Sequence, residues 1–165
     1  MPKPVGYLNS ANIGKRYVSK SGRLEPMATI RTEIVIEASA QHIWDVVRDV
    51  GAVHTRLLPG RVADTRIQGV ERFLTFPDGH VIRELIVSID DRTRRLAYSV
   101  VDGARPSLDY HHASFEVHSE GEHGRLIWIT DVLPDTIAAD IRIRTEYGIK
   151  EMKQAIEASA PPRLP

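Results

Sequence analysis

At 165 residues the chain is long enough for a single domain with a proper hydrophobic core. Its 22 basic and 22 acidic residues cancel, which argues against a dedicated nucleic-acid protein, and the absence of cysteine removes disulfides, thiolate nucleophiles and cysteine-ligated zinc. No apolar run suits a membrane span or the core of a signal peptide, so a soluble, cytoplasmic protein is expected.

Residues 1–28 mix Pro, Gly, Ser, Asn and Lys without periodicity and read as a flexible arm. Lys3, Lys15, Arg16, Lys20 and Arg23 against Glu25 give this arm a net charge of +4, balanced by −4 in the remainder. Scattered charges without interleaved aromatics make a weak nucleic-acid footprint. The expected layout is this basic arm, one folded domain over 29–160 and a disordered tail at 161–165.

From Ile30 the pattern alternates. Ile30, Thr32, Ile34 and Ile36 face one way, with Arg31, Glu33 and Glu37 the other, as in a half-buried strand. Ser39 is placed to cap a helix whose apolar side holds Ala40, Ile43, Trp44, Val47 and Val50. His42 stands where a capping box would have Glu. Gly51 ends that helix, and a short second one runs through Val53, Arg56, Leu57 and Leu58 to Pro59-Gly60. Strands are then expected over 62–68, 71–76, 80–89, 96–101, 110–118 and 125–133, separated by turn signals such as Pro77-Asp78-Gly79.

Pro134 stops the last strand, and residues 135–159 read as one long helix with Asp135 as N-cap or first-turn acid. Its apolar stripe is Ile137, Ile141, Thr145, Gly148, Met152 and Ile156. Thr145 and Gly148 are slender where bulk is expected, and a helix-interior Gly costs about 1 kcal/mol against Ala. Either the helix packs closely there, or room is left for a ligand between helix and sheet. Strands segregated from helices give an α+β class, with an antiparallel sheet covered on one side by the long helix.

This order resembles the START-like, or Bet v 1-like (SRPBCC), superfamily, and within it the bacterial polyketide cyclase/dehydrase and lipid-transport group. The likeness is carried by Ala38-Ser39 and Trp44, Leu58-Pro59-Gly60, Arg72, Asp78-Gly79 and Arg83-Glu84-Leu85. It continues in Arg95-Leu96-Ala97-Tyr98, Tyr110, Trp128 with Pro134, and Gly148-Ile149-Lys150. The resemblance implies a helix-grip: a curved antiparallel sheet of about seven strands wrapped around the C-terminal helix, with two short helices after the first strand. It also implies a cavity between sheet and helix for an apolar or aromatic molecule, and no cofactor.

Glu84 lies mid-strand among Ile82, Leu85, Ile86 and Val87, where an inward carboxylate would lose its water, and Arg72 on the neighbouring strand could neutralise it. A purely structural pair, or a Glu84 facing solvent, fits the pattern as well. Tyr98 and Trp128 suit a pocket wall or an ordinary core, and Tyr110 is a weaker case of the same kind. His111 and His112 are adjacent on a strand and cannot share a metal; Phe115 and Val117 place His111 inward. No HExxH motif, phosphate loop or nucleophile elbow is present, and no metal site is expected. The first reading is a binding protein for a lipid, polyketide or quinone-like molecule, walled by Tyr98, Tyr110, Trp128, Ile141, Thr145 and Gly148 and anchored by Arg72 and Glu84. The second is a cyclase or dehydratase in which Glu84, Tyr98 or His111 moves protons. A regulatory module using the basic arm is the third, and a homodimer stays open.

Overall fold

Alternation along the first strand of the domain carries Ile30, Thr32 and Ile36 into the core and leaves Arg31, Glu33 and Val35 outside. The computed structural model describes residues 16–18 and 24–162, and here this segment is β3 (Ala28–Ile36). Before it, β1 (Arg16–Val18) and β2 (Leu24–Pro26) pair antiparallel with each other. The rest of the expected arm, residues 1–15 and 19–23, and residues 163–165 of the expected tail lie outside the described residues.

Six further strands follow: β4 (Asp64–Gln68), β5 (Glu71–Thr75), β6 (Val81–Asp90), β7 (Arg95–Asp102), β8 (Tyr110–Glu120) and β9 (His123–Leu133). The large sheet has seven strands in the order β3-β9-β8-β7-β6-β5-β4. Every neighbouring pair in it is antiparallel. From β4 onward consecutive strands pair, through short turns except for the loop 103–109 between β7 and β8, whereas β3 lies beside the last strand, with Ile30 opposite Thr130 and Ile36 opposite Gly124. Gly124 makes room for the segment that follows β3, since a Cβ there would collide with Ile43 Cδ1.

That segment is α1 (Ala40–Val47), capped as expected by Ser39 Oγ, which accepts from the His42 N–H at 3.1 Å. His42 does not complete a capping box. Its Nε2 lies 3.2 Å from the Ile156 carbonyl and 3.1 Å from Ser159 Oγ, so it ties α1 to the C-terminal end of the long helix. Trp44 is buried and donates from Nε1 to Asp91 Oδ1 at 2.9 Å, fastening α1 to the β6–β7 turn. The second short helix is a π-helical turn, Val53–Leu57, packed against the long helix.

The long helix starts later than its pattern suggests. Asp135–Ile137 form a turn of 3-10 helix, and α2 runs over Ala138–Ser159. Asp135 is not a side-chain N-cap, because the tight turn after extended Pro134 puts Ile137 in the cap position and no side chain bonds the free N–H groups. The buried residues of α2 are Thr145, Gly148, Ile149, Met152 and Ile156, whereas Ile137 and Ile141 are only half-buried. The helix therefore grips the sheet with its C-terminal two-thirds. Its first turns stand off, and this shapes the site. Among the described residues no helix is long and apolar enough to cross a membrane.

Candidate functional site

The inner face of β5 and β6 is read off their register. Arg72 stands opposite Glu84 and Leu74 opposite Ile82, so Phe76, Leu74 and Arg72 share a face with Ile82 and Glu84. Arg72 and Glu84 are 4% and 5% exposed, and Arg72 Nε donates to Glu84 Oε2 at 2.7 Å. Glu84 therefore faces inward beside Arg72, and not solvent as one of the alternatives had it. Arg83, on the other face, pairs with Glu71 at 3.1 Å near solvent.

Next to the pair lies a chain of aromatic groups. The Arg72 guanidinium sits 5.3 Å from the centre of the Tyr98 ring, close enough for a cation–π contact. Tyr98 stacks 5.9 Å from Phe115, and Phe115 meets Trp128 at 4.9 Å. Trp128 Nε1 donates to the Tyr98 hydroxyl at 3.1 Å, so both aromatics face inward with their polar atoms joined. Burial raises the Tyr98 phenol above its ordinary value, and the Glu84 carboxylate adds to the rise while Arg72 and the Trp128 hydrogen bond oppose it.

His111 is buried on the same face, 5.8 Å from Tyr98, as its parity with Phe115 and Val117 implies. Its Nδ1 accepts from the Val100 N–H at 3.0 Å, taking the place of a ladder carbonyl and leaving the ring proton on Nε2. Burial pushes the imidazole down to about 4; His112 acts in the same direction and Asp131 opposes. Glu84, Tyr98 and His111 are thus brought to one face, each already committed to a neighbour: Arg72, Trp128 and Val100.

The helix residues fall differently. Gly148 does not leave empty volume: a Cβ there would lie 3.1 Å from Trp128 Cζ3, so the slender residue accommodates the indole. The reading of Gly148 as spare room gives way to close packing, because a bulky side chain from β9 reaches across the gap. Thr145 is buried and its hydroxyl donates to the Arg142 carbonyl at 3.0 Å. Ile141 is half-buried, and Tyr110, at the start of β8, is 41% exposed and stands apart from the aromatic chain. The hydroxyls of Thr32 and Thr130, both buried on the inner face, have no hydrogen-bond partner among the described residues.

Open space lies where α2 stands off the sheet. A cavity of about 430 Å³ opens between the β5–β6 hairpin, the β7–β8 loop and the start of α2, lined by Phe76, Pro77, Asp78, His80, Ile82, Arg105 and Arg144. Its size lies in the range of small-molecule sites. Ile82 forms part of its lining, and the Arg72–Glu84 pair lies one inward residue further along the same face. Parity with Arg72 and Glu84 was the signal that could have assigned Phe76 and Ile82; nothing in the sequence pointed to Arg105 or Arg144. Among the described residues no group of His, Asp and Glu is arranged to hold a metal ion.

Seven antiparallel strands around a long C-terminal helix, with two short helical segments after β3, define the helix-grip class of the SRPBCC, or Bet v 1-like, superfamily. The chain belongs to the polyketide cyclase / dehydrase and lipid transport family, whose model matches residues 27–158. Comparison with curated proteins gives no match. Among solved structures, an uncharacterised protein from Bacillus thuringiensis is similar with a TM-score of 0.71 at 19% identity, covering 78% of this chain and 98% of that one. The protein XoxI from Bacillus cereus is similar at 0.67 and 20%, covering 80% and 94%. Norcoclaurine synthase from Thalictrum flavum is similar at 0.68 and 21%, covering 94% and 97%. It has also been solved in complex with dopamine and hydroxybenzaldehyde. At these identities the likeness shows the fold alone.

Proposed function

We propose that this protein binds or carries one small hydrophobic or aromatic molecule, of lipid, polyketide or quinone-like character, in the cavity between the sheet and α2. The observation that carries the reading is the gap itself: the first turns of α2 bury no side chain, and the space beneath has an apolar floor of Phe76, Pro77 and Ile82. Removing that floor from water supplies affinity at roughly 25 cal/mol per Å² of apolar surface covered. Small aromatic molecules held by a protein of the same fold, as in the complex of norcoclaurine synthase with dopamine and hydroxybenzaldehyde, support the choice of ligand class.

The second reading is a cyclase or dehydratase. What favours it is the gathering of Glu84, Tyr98 and His111 on one face, with Glu84 one inward residue beyond Ile82 of the cavity floor. Those groups would move protons only if a ligand displaced their present partners, so binding is the stronger conclusion. Native mass spectrometry of freshly purified protein tests it. An added mass of small-molecule size, released on denaturation, is the expected result; release of the same compound after prolonged incubation fits carriage, and a changed mass fits turnover. The bare chain mass under every gentle condition would count against both.

A further inference from the structure

The polar half of the cavity wall has an unbalanced charge. Arg105 makes no ion pair or side-chain hydrogen bond among the described residues. Arg144 donates from Nη1 to the Arg105 carbonyl at 2.6 Å, which brings its guanidinium over the β7–β8 loop, and it too has no carboxylate partner. Seven other surface arginines, Arg31, Arg48, Arg56, Arg61, Arg83, Arg95 and Arg125, reach a carboxylate, whereas Arg66, Arg92, Arg94 and Arg142 do not among the described residues; what sets Arg105 and Arg144 apart is that both line one cavity. The one acidic residue of the wall, Asp78, keeps its charge while its Oδ1 accepts from the His80 N–H at 2.9 Å, so two arginines face one carboxylate and the wall is net positive. His80 adds a third polar group. Its ring stacks 6.1 Å from Phe76, and its Nε2 is buried with no hydrogen-bond partner among the described residues.

We propose that the cavity selects an anionic amphiphile: a molecule with an aromatic or alicyclic body on Phe76 and Ile82, and one anionic head, carboxylate or phosphate, held by Arg105 and Arg144. This rests on the binding function proposed above and narrows its ligand class. The physical reason is that a guanidinium has a fork of donors that matches either head, and a charge-assisted bond at the edge of an apolar floor is stronger than the same bond in open water. The unpartnered His80 Nε2 offers a second polar contact to a hydroxyl or keto group on the body of the ligand. A neutral hydrocarbon would leave all of these groups unused.

The test compares α-naphthoate, α-naphthyl phosphate and neutral α-naphthol by calorimetric titration, on the wild type and on Arg105→Gln/Arg144→Gln. Both arginines are exposed, so the double variant retains the fold, and an unchanged Tm confirms it. At least one anion should bind about tenfold or more tightly than naphthol, an advantage that weakens with added salt and is lost in the double variant. Arg105→Lys/Arg144→Lys should recover part of it. Which anion gains more assigns the head as carboxylate or phosphate. Equal affinity for all three compounds, or an anion preference that survives in the glutamine variant, overturns the proposal while leaving the binding function standing. Absence of binding by any of the three removes both.

Discussion

Replacing Arg72 by Met alone is expected to destabilise the protein by about 3–5 kcal/mol, because it strands the Glu84 carboxylate without a partner in the sheet's inner face. Arg72 and Glu84 are both almost fully buried and 2.7 Å apart, so neither can turn to water when the other is removed. The double change Arg72→Met/Glu84→Leu should cost far less than the sum of the single changes, since packed apolar groups carry no desolvation penalty. Urea unfolding of the wild type, both single variants and the double variant gives the coupling directly. A cost below about 1 kcal/mol for Arg72→Met, or additivity across the cycle, would mean that the pair is not held dry. The geometry also explains why a costly pair could be kept beside a cavity: Arg72 covers the face of Tyr98 and fixes the polar end of the aromatic chain.

Acid is expected to weaken the fold through His111, by up to about 3 kcal/mol between pH near 6.5 and pH near 4. The sign follows from where protons bind. The unfolded chain takes up a proton on this imidazole below its ordinary value of 6.5, while burial, aided by His112, holds the native ring neutral down to about 4. Between those limits the unfolded state binds more protons, so stability falls as pH falls; below the lower limit this group costs nothing further. Protonation would also place a donor where Nδ1 now accepts from Val100 N–H. His111→Asn keeps an acceptor for that N–H and does not titrate. The difference in unfolding free energy between wild type and variant should therefore shrink or reverse as pH is lowered. Parallel pH profiles for the two proteins would contradict the burial of a neutral ring.

The order of elements was legible because turns are local chemistry. Asp78 and Gly79 end the second hairpin arm as their residue types demand: the Asp78 carboxylate bonds the His80 N–H, and Gly79 has φ +82°. Inward parity was legible only where one face is polar, as in β3. On β7 the consecutive residues Leu96, Ala97 and Tyr98 are all buried although the strand pairs regularly with β8, so burial does not alternate and parity cannot be read from polarity. The choice between close packing and open room at Gly148 was not legible, for a related reason. Spacing along α2 reveals that Gly148 is slender, but not that Trp128, twenty positions earlier and on a strand, fills the space above it. Arg144 lies off the apolar stripe of α2 and is exposed, and Arg105 lies in a loop without periodicity. Their meeting at one wall is a tertiary fact with no local signature.

An amide-resolved NMR titration with α-naphthol tests most directly whether the gap beneath the first turns of α2 is a ligand site. The account predicts saturable shifts confined to the β5–β6 hairpin around Phe76, His80 and Ile82, the loop at Arg105 and the helix at Arg144, with the distant α1 resonances unmoved. No saturable shift at any accessible concentration, or shifts gathered on the outer face of the sheet, would contradict it.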